Sequence, residues 1–125
     1  MRWVSMQLTV SLLVLGLVIV PQFGLAASVQ ITEVMYSPSG TDSGHEWIEV
    51  HNQTGNSITL TDWHLRENET DHRISTDGTK TLPAGQRAVI ADDPAQAQSK
   101  YSQMSAPVFD STFSLNNSGE PIALI

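Results

Sequence analysis

The stretch Glu46–Asn52, EWIEVHN, decides the fold class. Ile48 and Val50 alternate with Trp47, Glu49 and His51, and a period of two is the signature of a strand with one buried face. The aliphatic pair is therefore expected inside, with Trp47, Glu49 and His51 on the other side. QTGNS (53–57) follows as a turn, and ITLTDWHLRE (58–67) reads as a third strand with Trp63 and Leu65 inward and His64 and Arg66 outward. Upstream, SVQITEVMY (28–36) places Val29 and Ile31 on one face. The next apolar residue, Val34, comes three positions later, so a β-bulge is expected near Thr32 and Glu33.

Short apolar runs broken by Gly, Pro, Asn, Asp and Ser clusters continue to the end, the pattern of an all-β sandwich or barrel. ENETDH (67–72) reads as a polar loop, and HRIS (72–75) as a short fourth strand at most. TLPAGQRAVIAD (81–92) supplies a Pro-Ala-Gly turn and a strand that is apolar on both faces. Only 93–106 suits a helical turn, with Asp92 or Asp93 as cap and Pro94 at the first position. In VFDSTFSLNNSGEPIALI, Asn116–Gly119 is expected to turn between two strands, with Gly119 at positive φ.

The N-terminus has a different character. Arg2 is the only charge before Glu33, LTVSLLVLGLVIV runs from Leu8 to Val20, and GLAA follows the Pro21-Gln22 break. A basic start, an apolar core and small residues at a cleavage site are the three parts of a signal peptide. Residues 1–26 are read as that peptide, cut between Ala26 and Ala27, with a cut after Ala27 as second choice. The rival, an uncleaved anchor, would need about 20 apolar residues, and Pro21 stops the run short of that. Residues 27–125 then form one domain that is secreted or extracytoplasmic, in the periplasm or at the cell surface, with no membrane span left after cleavage. They keep all 13 Asp and Glu and lose only Arg2 from the 6 Lys and Arg, so the domain is more acidic than the −7 of the full chain. That balance disfavours nucleic acid, which needs clustered cations. Cysteine is absent, so the core must hold the fold without disulfides.

Five blocks in order resemble the lamin-tail domain: ITEVMYSPSG, GHEWIEVHN, LTDWHL, TLPAGQRAVIAD and FSLNNSGEPIAL. The resemblance spans residues 29–125 and implies an immunoglobulin-like β-sandwich, as in nuclear lamins and many exported bacterial proteins. It implies a module class and no ligand. Two departures stand out. Asp62 replaces the Gly that often precedes Trp63 in bacterial members, and the chain stops at Ile125 where such members continue. The apolar PIALI strand is accordingly expected to need further domains beyond Ile125 or a partner strand.

Chemistry is sparse. Asp42, His45 and Glu46 share a loop, with Glu49 and His51 beyond, but they lack the acid spacing of a calcium loop or the HExxH of a zinc site. They are read as solvated charges, with no metal and no cofactor. No GxSxG elbow exposes a serine, and the pairs Glu67/Glu69 and Asp92/Asp93 read as solvated caps, so no catalytic residues are assigned. NQT, NET and NNS at Asn52, Asn68 and Asn116 are sequons of chance occurrence. Trp47 is expected to lie under loops; if open, Trp47, Glu49 and His51 make the recognition face. The expected role is a non-catalytic interaction or anchoring module for an unknown protein or cell-surface ligand. The alternative is an accessory domain of a larger secreted hydrolase or nuclease.

Overall fold

The structure, a computed structural model, describes residues 28–125. The expected signal peptide and its expected Ala26/Ala27 cut therefore lie outside the described residues. Within them, β1 (Val29–Met35), β2 (Trp47–Asn52), β7 (Arg87–Ala91) and β8 (Val108–Asp110) form one sheet in that order. A second sheet has the order β5 (Thr70–Arg73), β4 (His64–Glu67), β9 (Ile122–Leu124). A small pair, β3 (Ile58–Thr59) with β6 (Thr81–Leu82), accompanies them. These sheets enclose a core of Ile48, Val50, Leu60, Leu65, Ile74, Leu82, Ile90, Phe109, Phe113 and Leu115. The architecture is the expected all-β immunoglobulin-like sandwich.

The alternation in β2 holds. Ile48 and Val50 are fully buried in the core between the sheets, while Trp47 belongs to a second cluster on the outer face. In β1 the register with β2 shifts between Ile31 and Glu33, so Val29, Ile31 and Val34 all pack against the core. The bulge expected from the broken alternation is present. β7 is buried on both faces because Ala88 and Ile90 point into the core while Val89 and Ala91 join Trp47. A helix, α1 (Pro94–Lys100), carries the chain from β7 to the parallel strand β8. Asp93 caps it by accepting from Gln96 N at 3.0 Å, and Pro94 opens the first turn.

Three expectations are corrected. The single strand 58–67 is broken: β3 ends at Thr59, a 3₁₀ turn spans Leu60–Asp62, and β4 begins at His64. The turn lets Leu60 drop into the core, and it closes when Trp63 N donates to Leu60 O at 3.1 Å. As a result Leu65 is fully buried, whereas Trp63 only flanks the core and is half-buried. The presumed loop 67–72 is instead the tip of a β4–β5 hairpin with Glu67 opposite Thr70. Asn68 takes φ +51° there, a left-handed conformation that Asn tolerates well. Finally, the strand before the Asn116–Gly119 turn, β8, ends at Asp110 well short of it, although Gly119 has its positive φ of 92°. Residues 111–121 cross between the two sheets as irregular chain, with Phe113 and Leu115 plugged into the core.

Candidate functional site

The outer face of the four-stranded sheet is divided. At one end α1 and the chain after it cover the surface, so that Trp47, Val89, Ala91 and Ala97 are buried with Tyr101, Met104 and Ala106 packed over them. Tyr101 meets the indole edge-on, with ring centroids 5.8 Å apart. Trp47 is 8% exposed. It is therefore covered, and the open reading of Trp47 as a contact residue is set aside.

Glu49 and His51, two and four residues along β2, emerge from under this cover as half-buried groups. Glu49 faces the bulge of β1. Its Oε1 accepts from Thr32 Oγ1 at 2.7 Å and from Arg87 Nη1 at 2.5 Å, and Arg87 also donates to Thr32 Oγ1 at 2.9 Å. The Thr32 hydroxyl, and then the Arg87 guanidinium, hold the Glu49 carboxyl below its ordinary range. The sequence expectation had Glu49 as a free surface charge. In the structure it joins three strands, because the bulge turns Thr32 toward it and the antiparallel register sets Arg87 opposite His51. A double-mutant cycle on Glu49→Ala and Arg87→Ala should return a coupling of about 0.2–1 kcal/mol that shrinks in high salt. Zero coupling in low salt would mean that the pair does not persist in solution.

Where polar strip meets cover, two adjoining clefts open. One of about 250 Å³ has Trp47, Glu49, Val89, Tyr101 and Met104 in its walls. The other, of about 330 Å³, lies between Glu49, Arg87 and the chain from Ser105 to Pro107. Glu49, Ser105 and Ala106 line both. An apolar floor beside a few convergent polar groups is the general form of a ligand cleft. The arrangement offers an acceptor, a cation and an apolar wall, which suits recognition.

The loop acids do something else. Asp42 accepts from Asn117 Nδ2 at 2.7 Å, and His45 Nδ1 lies 3.1 Å from Ser43 O. Asp92 accepts from Gly44 N at 2.7 Å and Glu46 N at 3.2 Å, so it is a loop tie and not a solvated cap. Gly44 holds φ +80°, and a Cβ there would run into the Gln96 side chain. Glu46 turns inward and is 2% exposed. These side chains are spent on closing the loop. Among the described residues no three His, Asp or Glu gather in a way that could hold a metal ion.

A family model for the Lamin Tail Domain matches residues 25–125. The chain belongs to the lamin tail domain family. No curated protein and no solved structure matches it. In this lamin tail domain the residue that sequence reasoning missed most completely is Asn52, at the end of β2. It is fully buried, donates from Nδ2 to Asn56 O, Leu82 O and Pro83 O, and accepts at Oδ1 from Thr54 N and Oγ1. The available signal was the Asn-x-Thr spacing, which is an Asx turn here. Asn116 repeats the device, accepting from Ser118 N and Oγ.

Proposed function

We propose that this lamin tail domain is an exported, non-catalytic interaction module that engages an extracytoplasmic protein or a cell-surface ligand through the outer face of its four-stranded sheet. The observation that carries the reading is the pair of clefts around Glu49, where an apolar wall meets the Thr32–Glu49–Arg87 cluster. Family membership supports a module of this class. The three-part N-terminus supports export.

Both halves can be checked on the secreted protein. Intact mass should place the mature N-terminus at Ala27, with Ser28 as the secondary product; full chain retained in the membrane with Met1 would refute the cleaved signal peptide. Titrating labelled mature protein with solubilised cell-envelope material should shift the resonances of Glu49, Arg87, Tyr101 and Met104, and Arg87→Glu should weaken binding at least tenfold. Shifts confined to another face would refute the assignment of the surface.

A further inference from the structure

The irregular crossover between β8 and β9 is fastened in an unusual way. Three successive amides leave it toward three different carboxylates. Ser114 N donates to Glu67 Oε2 at 3.3 Å, Leu115 N to Glu46 Oε2 at 3.0 Å, and Asn116 N to Glu120 Oε1 at 2.6 Å. Asn117 adds its side-chain bond to Asp42. Strand pairing would normally take these amides; here side-chain carboxylates from the loop before β2, from β4 and from the crossover itself take them. Of these acceptors only Glu46 is fully inside, and the Leu115 amide is the donor it meets there.

The charges around Glu46 are uniform in sign. Asp42 acts on it from its own loop, Asp92 from the end of β7, and Glu67 from β4. Two histidines stand near this set: His45, next to Glu46 in the loop, has Nδ1 3.1 Å from Ser43 O, and His72 has Nε2 3.0 Å from Glu67 Oε2, so neither pairs with Glu46. Closing the crossover thus shuts a carboxylate away from water, beside acids, with one amide to offset it. Both effects favour the neutral acid.

We propose that the Ser111–Glu120 crossover is a proton-coupled clasp, whose closure over the end of the core takes up a proton at Glu46, so that it grips most firmly in mild acid and loosens towards neutral pH. Burial first, then repulsion from Asp92, Asp42 and Glu67, pushes the Glu46 carboxyl from 4.5 up to about 6, against the lowering pull of the Leu115 amide. The closed form holds the proton more tightly than the open form. Its advantage is therefore complete below about 4.5 and is lost as pH rises through about 6. A difference of that size corresponds to about a 30-fold change in the closing equilibrium. The clasp also forms a wall of a cleft of about 300 Å³ with Val34, Tyr36 and Ile122, so loosening it widens that cleft.

Amide hydrogen exchange on the purified mature protein tests this, with protection factors corrected for the intrinsic pH dependence of exchange. Leu115 and Ser114 should be less protected than Ile48 and Val50 at every pH, the mark of local opening. Their protection should fall by about 15-fold between pH 4.5 and 7.5, with a midpoint near 5.5. Glu46→Gln, which keeps an acceptor oxygen, should abolish that dependence, and Asp92→Asn should move the midpoint to lower pH. The proposal is overturned if Leu115 protection matches that of Ile48 throughout, since the clasp would then open only on global unfolding. It is equally overturned if the pH dependence is missing from the parent protein or survives in Glu46→Gln.

Discussion

Asn52→Ala is expected to destabilise the domain by about 3–5 kcal/mol, near the upper end for a point substitution. The methyl group would leave the carbonyls of Asn56, Leu82 and Pro83 without their shared donor, and Thr54 N without its acceptor. The side chain is fully buried and its bond to Leu82 O lies where water cannot substitute freely, although Asn56 O keeps the Thr54 hydroxyl and Pro83 O the Gln86 amide. Against a total of roughly 5–15 kcal/mol for an ordinary domain, the loss should be plain in a urea titration. Asn52→Asp provides the control. It keeps the acceptor for Thr54 but sets an anion against three carbonyl oxygens, so it should be at least as damaging at pH 7 and partly recover as acid protonates it. A cost below about 1 kcal/mol for Asn52→Ala would mean that the hub is dispensable.

The second large effect reverses an order expected from the sequence. Leu65→Ala should cost about 3–5 kcal/mol, because Leu65 is fully enclosed between β4 and the opposite sheet and its removal leaves a cavity. Trp63→Ala should cost only about 1–2 kcal/mol, since the ring lies against the core and is not within it. Read from alternation alone, Trp63 was the anchor of this strand. The 3₁₀ turn at Leu60–Asp62 changes that by placing Leu60 inside and displacing the tryptophan to the flank. Matched thermal melts of the two variants decide it, and a larger loss for Trp63→Ala would restore the simple alternating strand.

Glu49 teaches the same lesson on the outer face. It was read as a surface charge, yet it accepts hydrogen bonds from β1 and β7 at once. Alternation says which side of a strand a residue faces. It does not say what stands opposite, because register is a relation between strands far apart in the chain. The bulge was legible in β1 alone, but its consequence, Thr32 turned toward Glu49, needed the pairing with β2.

What the sequence by itself determined is the part governed by local chemistry. That includes the all-β class, the inward pair Ile48 and Val50, the bulge, the helix start at Pro94 and the positive φ at Gly119. Each follows from a period of two or from a residue whose backbone preference is strong over a few positions. The family was legible too, as five ordered blocks that the Lamin Tail Domain match spans. Only the tertiary structure decided the rest: the use of α1 and the chain after it as the cover over Trp47, the buried hub at Asn52, the clefts beside Glu49 and the carboxylates that fasten the β8–β9 crossover. All four depend on which distant segments the fold brings together, and for the hub and the crossover the constraint is sharp. A buried polar group must find a partner wherever the fold supplies one. For Glu46 and Leu115 that partner lies 69 residues away, a distance over which no sequence period carries information.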